Sequence, residues 1–439
     1  MRSWPQTGLW RHADFLKLWS AETISQLGSQ VSALALPLIA VISLHVSAFK
    51  VAALATIEFL PFMLFSLPAG VWVDRLQRRP ILVAGDLLRA ALLVSIPIAY
   101  AFDVLTIWQL YVVGFLTGIC TVFFDVAYQS YLPSLVERDR LVEGNSKLEV
   151  SRSGAQIAGP GFAGVLIGWL TAPVAVAVDA ASFVGSALFL SRIRKGETDP
   201  RREPGHERRS MRAEIAEGLR FVVRHRYLRN IAASTATYNF FGSVWGAIFI
   251  VYIVRELHMT PQLIGLIVSL GSGGFLLGAL SANKLSERLG VGRTIVLSQA
   301  AAVMGVLVPL APHDKYKAIP FLVAAQVVGA AGVVIYNVNQ LSLRQALCPE
   351  RLQGRMNACM RFIVWGTIPL GNLVGGGLAS TIGLHRTIWI GVLGSTLAFL
   401  PVALSPVRAI ERIPEQVEES AFEPLVVDAA AVTAEPPGA

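Results

Sequence analysis

Apolar stretches of roughly 20 residues recur along nearly the whole chain, and no other feature of the sequence constrains its fold so tightly. A helix of that length, rising about 1.5 Å per residue, spans a hydrocarbon core about 30 Å thick. Helix is the required form because lipid offers the backbone no hydrogen-bond partners, so each segment must pair its own N–H and C=O groups. Twelve stretches are read. In the first half they run from about Phe15 to Leu44, Val51 to Val73, Ile81 to Phe102, Ile107 to Tyr128, Leu148 to Leu170 and Ala172 to Leu190. In the second half they run from about Leu228 to Val254, Leu263 to Leu285, Thr294 to Ala311, Ile319 to Leu341, Ala358 to Ile382 and Thr387 to Leu404.

Composition excludes a water-soluble alternative. Hydrophobic residues make up 54% of the 439 and charged residues 15%, with a mean hydropathy of +0.57, too apolar for a water-facing body of this size. The formal charge of +8 does not point to nucleic acid, because the cations punctuate apolar stretches instead of gathering on one face. Of the 37 Lys and Arg, 30 fall on the side of the N-terminus and five on the other (Lys50, Arg255, Lys315, Lys317, Arg386), while Arg89 and Arg152 lie inside helices. That positive-inside bias, with an even number of helices, predicts a multi-pass protein of the cell (inner, cytoplasmic) membrane with both termini in the cytoplasm. The first stretch follows Arg2, Arg11, His12 and Lys17 with no small-residue cleavage site after it, and reads as a retained helix. Cys120, Cys348 and Cys359 form an odd set in or beside apolar stretches, which implies packing and neither a disulfide framework nor a metal cluster.

The expected fold is an all-α membrane protein with twelve transmembrane helices in two pseudo-symmetric six-helix bundles. Residues 1–192 and 228–407 are the bundles, 193–227 a cytoplasmic linker with an amphipathic helix, and 408–439 a disordered cytoplasmic tail. The linker from Arg192 to about Ser210 has too little apolar content to fold alone. Just after it, Ile215, Leu219, Val222 and Val223 share a helical face, with Arg212, Arg220, Arg224 and Arg226 elsewhere. That pattern suits the membrane interface, or a solvated helix packed on the bundle. A shift of 212 residues brings Asp125 and Val126 onto Asn337 and Val338, Asn145 onto Asn357, and Gly154, Gly159 and Gly164 onto Gly366, Gly371 and Gly376. Two parallel halves with a transport route between them follow from that register.

The loop after the second stretch reads Gly70, Val71, Trp72, Val73, Asp74, Arg75, Leu76, Gln77, Arg78, Arg79, Pro80. It resembles the G-x-x-x-D-R-x-G-R-[RK] signature of the major facilitator superfamily at Gly70, Asp74, Arg75, Arg78 and Arg79, with Gln77 in place of the middle glycine. Gly70 is expected to let two helices approach closely, and Asp74 to meet a neighbouring helix N-terminus or cation as a conformational gate. Alternatively the arginines set topology and bind anionic lipid headgroups. The second half keeps only a trace of the signature around Gly278, Lys284, Arg288 and Arg293.

In the fifth stretch, Gly154, Gly159, Pro160, Gly161 and Gly164 resemble the G-P-x-x-G-G antiporter motif of drug exporters in that superfamily, with Ala163 replacing one glycine. The resemblance implies export. Physically, the small residues are expected to pack against the eleventh helix, and Pro160 to kink its own. Asp14, Phe15, Lys17, Leu18 and Trp19, then Ser25, Gln26, Leu27 and Gly28, look like the macrolide-efflux and enterobactin-exporter branch. So do Tyr131, Leu132, Pro133, Leu135 and Val136 before Asn145, and Asn239, Phe240, Phe241 and Gly242.

Ionisable side chains at membrane depth are costly, and face a cavity or a partner. Glu22, Glu58, Asp86, Arg89, Asp125, Glu149, Arg152 and Asp179 all fall in the first half. The superfamily resemblance places the first and fourth helices of each half on the cavity, so Glu22 and Asp125 are the first candidates for proton coupling. Glu149 and Arg152 share a helical face, as a switchable or a static pair. Glu58, just before Pro61, is left open. Asp86 with Arg89, and Asp179, lie on supporting helices, where packing or mutual neutralisation is expected. Gln26 in the first helix and Tyr238, Asn239, Trp245, Tyr336, Asn337 and Gln340 in the second half are expected to line a cavity for a bulky, partly apolar small molecule.

The predicted activity is proton-antiport export of a small amphiphile such as an antibiotic or siderophore, by a monomer needing no cofactor and surrounded by membrane lipid. A lipid or lysolipid translocator, or a non-transporting sensor on the same helices, is the competing reading. ATP hydrolysis and enzyme activity are not expected, because no G-x-x-x-x-G-K-[ST], G-x-S-x-G or H-E-x-x-H occurs. The topology has a direct test. A cysteine placed between Arg201 and Ser210 should resist an impermeant thiol reagent in intact cells, and ready labelling there would reverse the orientation.

Overall fold

A computed structural model of the chain describes residues 8–73, 76–137, 140–194, 219–348 and 350–413. Asp74, Arg75, most of the linker and the tail lie outside the described residues, as do Arg212 and Ile215 of the expected amphipathic helix. Among the described residues every regular element is helical. The first half contains α1 (Ala13–Leu38, continued by a π turn at Ile39–Ser43), α2 (Ala48–Val73), α3 (Arg78–Ala101), α4 (Ile107–Leu135), α5 (Leu141–Leu170) and α6 (Ala172–Ser191). The second contains α7 (Leu228–Arg255), α8 (Pro261–Leu289), α9 (Val291–Ala300, continued by a 3-10 turn at Ala301–Leu307) and α10 (Lys315–Ala346). It ends with α11 (Glu350–Trp365), α12 (Thr367–Ile382), α13 (Leu384–Thr396) and a short α14 (Leu400–Ala403).

Ten of the described helical segments are long and apolar enough to cross a membrane. The fifth expected span falls short because Gly154, Gln156, Gly159, Pro160, Gly161 and Gly164 dilute its apolar content. The ninth falls short because it is short, ending in the 3-10 turn. The eleventh, read as one continuous stretch, is broken at Gly366 into α11 and α12.

Local sequence sets the helix ends. His12 Nδ1 accepts from the Phe15 amide, and the Asp314 carboxylate accepts from Tyr316 and Lys317, so helix starts that would leave amides orphaned are capped. Two helix ends repeat across the halves. His45 and His258 both adopt positive φ, of 50° and 51°, just after α1 with its π turn and after α7. The following amides then reach back six residues, Val46 to the Ala40 carbonyl and Met259 to that of Ile253, closing each helix with a loop one residue wider than a Schellman motif. The junctions into α6 and α13 are also equivalent, with Thr171 at φ 75° and Gly383 at φ 90°. Thr171 bears strain there that Gly383 avoids, because only glycine lacks the Cβ that crowds this region.

Within the first half α1 packs on α5 and α6, α3 on α4 and α6, and α2 on α4; in the second, α7 packs on α12 and α13, and α8 on α10. The halves meet chiefly along α5–α8 and α2–α12. At the end where α1 finishes, one buried cluster runs through both halves, from Val41, Leu54, Leu110 and Ala163 to Tyr252, Ile264, Leu322 and Ile388. At the end where α1 begins, the halves keep separate clusters, one around Phe15, Leu82 and Tyr131 and the other around Leu228, Ile295 and Met360. Val222, from the described end of the linker helix, is buried in the second of these, while Leu219 and Val223 on its expected apolar face stay exposed.

The seal at the far end relies on missing side chains. A methyl group added to Gly164 would stand 2.6 Å from the Pro261 carbonyl oxygen and 2.9 Å from the Gly265 Cα. Across the other flank, one added at Gly376 would stand 2.7 Å from Ala52 Cβ. Arg255 adds a hydrogen bond of 2.6 Å to the Val46 carbonyl. Gly161, Gly164 and Gly168 of α5 therefore pack against α8, and not against the eleventh helix as expected from the sequence. The pseudo-symmetric arrangement sets the fifth helix beside the eighth and the second beside the eleventh. Overpacking this contact costs about 1–3 kcal/mol, enough to shift an equilibrium about tenfold. Gly164→Val should therefore lower disulfide cross-linking between Gly161→Cys and Ser269→Cys about tenfold in membranes, with insertion unchanged; undiminished cross-linking would show that the seal tolerates the side chain.

Candidate functional site

Four helices of the first half converge on one buried cation. Arg89 of α3 is 4% exposed and pairs with Asp86, one turn earlier and fully buried. Its guanidinium is sandwiched between the rings of Phe124 from α4 and Phe183 from α6, at 4.4 and 4.1 Å from their centroids. Gly85 lets α3 approach α4, with Phe124 and the Cys120 carbonyl just within van der Waals reach of an added methyl. Cation–π attraction strengthens when both groups are desolvated, so this sandwich holds the charge in place.

Around Arg89 stand three further carboxylates. Glu22 of α1 is 8% exposed; one oxygen accepts a hydrogen bond of 2.8 Å from Gln26, and the other is buried without a partner. Asp125 is half-buried on α4, one residue after Phe124. Asp179 of α6 is buried and accepts from the Ser182 hydroxyl at 3.1 Å. It reaches α1 because Gly28 faces it, a methyl there falling 2.6 Å from the Asp179 carboxylate. Glu22, Asp125 and Asp179 all lie within electrostatic range of Arg89. The structure thus brings Glu22 and Asp125 together, and adds Asp86, Arg89 and Asp179, which the sequence assigned to support. The three-residue spacing of Asp86 and Arg89 was the available signal; the aromatic sandwich, built from residues on other helices, was not readable.

Other expected site residues lie apart. Glu149 and Arg152 are both exposed on α5 and form no ion pair among the described residues, although Arg152, like Arg89, lies within electrostatic range of Asp125. Glu58 is half-buried on α2 and turned towards Gly114 of α4, its Cγ 2.9 Å from where a methyl would stand. Of the gating loop, Asp74 and Arg75 lie outside the described residues. Gly70 has nothing within 4 Å of a methyl, so the close helix approach expected there is absent, because the halves are apart at that end. Arg78 opens α3, and Arg79 donates to the Leu190 and Ser191 carbonyls at the C-terminus of α6, where a cation is favoured. Gly154 also faces open space, whereas Gly159 abuts Gln30 of α1, and Pro160 is buried beside Gly265.

In the second half most of the expected cavity residues are engaged between helices. The Tyr336 hydroxyl shares a hydrogen bond of 2.6 Å with Thr235 of α7. Gln340 accepts from Arg344, which also donates to Asn357 of α11. Trp245 is packed against α13, its Cβ 2.7 Å from a methyl position on Gly391. Asn239 donates to the Val364 carbonyl at 3.1 Å, an acceptor freed where the eleventh helix breaks at Gly366. Tyr238 remains half-buried and Asn337 exposed. For Tyr336 and Asn239 the physical cause is that buried amides and hydroxyls must be paired, and these two found partners on adjacent helices.

A helical multi-pass membrane protein, its halves joined at one end and a buried charge cluster in one of them, has the architecture of a membrane transporter. The chain belongs to the major facilitator superfamily, within the family described as transmembrane secretion effectors, whose profile matches residues 7–434. It is similar to the multidrug efflux pump Tap of Mycolicibacterium fortuitum, at 31% identity over 81% of this chain and 88% of that protein. It is also similar to macrolide efflux protein A of Streptococcus pyogenes, at 22% identity over 91% and 97%. In fold it resembles a bacterial homologue of the iron transporter ferroportin in its inward-facing state, with a TM-score of 0.71 and 17% identity over 91% of this chain and 99% of that one.

The Asn239 contact yields a stability prediction. Losing a buried hydrogen bond costs about 1 kcal/mol, more when the acceptor is left unpaired. The Val364 carbonyl also accepts from the Thr367 hydroxyl at 2.8 Å, so Asn239→Ala alone should lower the melting temperature in detergent only slightly, and Asn239→Ala/Thr367→Val by a few degrees; an unchanged melting curve in the double variant would show that this carbonyl needs neither donor.

Proposed function

We propose that the chain is a secondary-active exporter of small amphiphilic molecules, driven by inward proton movement and working by alternating access. In this reading it crosses the cell membrane twelve times as two six-helix bundles, residues 1–192 and 228–407, with both termini, the 193–227 linker and the 408–439 tail in the cytoplasm. The observation that carries it is the cluster of Glu22, Asp125, Asp86, Arg89 and Asp179 in one half, facing a second half whose buried polar groups are neutral. The names of the relatives, multidrug and macrolide efflux, support export of antibiotic-like cargo. With the far end sealed and the cytoplasmic end separated, the conformation corresponds to one open inward.

Proton binding at Glu22 and Asp125 would be linked to conformation because rocking the halves changes how far each carboxylate meets water, and a ligand shifts an equilibrium only by binding its states differently. Glu149 and Arg152, exposed towards the open end, and Glu58 beside α4 are the remaining proton-relay candidates. Gly70, Asp74, Arg75, Arg78 and Arg79 would gate the cytoplasmic end when the halves close there, and Gly154, Gly159, Pro160 and Gly164 would guide that rotation. Cargo would sit between the halves near Gln26, Tyr238 and Asn337, in a monomer surrounded by lipid.

Expression in an efflux-deficient bacterial host should raise resistance to one or more antibiotics in a panel that includes macrolides. In proteoliposomes the same compound should move in response to an imposed pH gradient, and a protonophore should abolish this. Glu22→Gln or Asp125→Asn should reduce gradient-driven movement at least tenfold while leaving binding measurable, about 1.4 kcal/mol of lost coupling. Full gradient-driven movement by both variants would remove these two residues from the mechanism; movement of lipid or lysolipid instead of antibiotic would identify a translocator.

A further inference from the structure

We propose that the acidic segment after Ile413 is a tethered plug for the open end of the molecule, settling between the halves on Arg152, Arg344 and Arg361 and competing there with whatever enters from that side. This goes beyond the transport reading above and does not depend on the coupling ion.

The point of attachment is fixed. At the end where the halves keep separate clusters, residues 406–413 turn back over the junction of α8 and α9, with Val407 and Ile410 packed beside Val291. The Gly292 and Val291 amides, at the start of α9, donate to the Ile410 and Glu411 carbonyls at 2.7 and 3.1 Å, so this stretch of chain caps the helix. The fit is tight, since a methyl group on Gly292 would collide with the Val407 carbonyl. The chain leaves the clasp in a cleft lined by Glu287, Arg288 and Arg293, at the end of α8. That helix is the one that meets α5 of the first half, so the segment starts at the seam.

The open end presents cations without carboxylate partners. On α5, Gly161 and Gly164 face α8 and Gly159 faces α1, which leaves two sides free. One carries Phe162, Val165 and Trp169 and suits lipid; the other carries Glu149, Arg152 and Gln156, exposed between the halves. On α10, Arg344 follows the exposed Asn337 and Leu341 at helical spacing, on a face between Tyr336, bonded to α7, and Ala331, which abuts Gly278 of α8. Arg344 donates to Gln340 and Asn357, and its Nε is buried without a partner. Arg361 of α11 is exposed and lies over Trp365, whose ring is edge-on to Phe59 of the first half at 5.9 Å. None of the three arginines forms an ion pair among the described residues, and Glu149 offsets only one of them.

The 26 residues after Ile413 lie outside the described residues. By sequence they hold six carboxylates and no Lys or Arg, with Phe422, Leu425, Val426 and Val427 between Glu418 and Asp428. Ten extended residues reach about 35 Å, roughly three helix diameters, so Glu423 can cross the seam from the clasp. Carboxylates match the arginines, and the apolar residues match Val150 and Leu341, exposed beside them.

The test reads access to the mouth and needs no cargo. With the native cysteines replaced, Leu341→Cys is labelled in detergent by an uncharged, water-soluble maleimide. The full chain is compared with one ending at Ile413 and one whose six tail carboxylates are changed to amides. Labelling should be about threefold faster in both altered chains, and in the full chain at about 1 M salt, where the screening length falls to about 3 Å. Arg152→Gln/Arg344→Gln/Arg361→Gln in the full chain should speed it as much, and a synthetic peptide of residues 414–439 should slow it again in the truncated chain. Equal rates in the full-length and truncated chains overturn the plug. So does acceleration by truncation that the arginine variant does not reproduce, which would put the segment on the Arg-rich 193–227 linker or the lipid surface. If the truncated chain or the arginine variant does not insert, the amide chain, which alters no residue of either bundle, decides by the same comparison.

Discussion

A hydrocarbon slab supplies no hydrogen-bond partners, and most of this structure answers that one constraint. Ser and Thr hydroxyls at depth fold back onto carbonyls of their own helices, Thr56 onto Ala52, Ser272 onto Val268 and Ser298 onto Thr294. Where a helix is interrupted, the freed carbonyl is shared: Val364, just before the turn at Gly366, accepts from the Thr367 hydroxyl and from Asn239 of α7. Buried polar side chains in the second half pair across helices, as in the chain from Gln299 to the Ser234 hydroxyl and on to the Ala398 carbonyl.

Apolar side chains gain little by leaving lipid for protein, so helix association relies on shape, and shape here means absent side chains. Gly164 against Gly265 and Gly376 against Ala52 bring backbones close at one end. A contact built on closeness, without interlocking bulk, can separate without leaving cavities or unpaired groups behind. Gly70 and Gly154, facing open space at the other end, are the same kind of residue without a partner in this conformation.

The two halves share a backbone plan and divide the chemistry. Their helix ends match, down to the six-residue closures at His45 and His258. Yet the charges at depth gather around Arg89 in the first half, while the second holds amides, hydroxyls and aromatics. The equivalent positions of the two halves therefore carry different side chains on a common backbone, so the charged cluster is a property of one half and not of the repeat.

The all-helical, multi-pass character of the chain and the approximate limits of most of its helices were legible from the chain, because each depends on local length, periodicity or composition. The superfamily was legible too, since its loop signature is contiguous. What only the tertiary structure decided depends on residues distant in sequence. The aromatic clamp on Arg89 needs Phe124 and Phe183 from two other helices. Gly161 and Gly164 of α5 face α8 and not the eleventh helix, and the Asn239 and Tyr336 side chains, read as facing cargo, are bonded to neighbouring helices. A helix has one sequence and several faces; which face meets a partner is set by the docking of the other helices, and no local pattern encodes it.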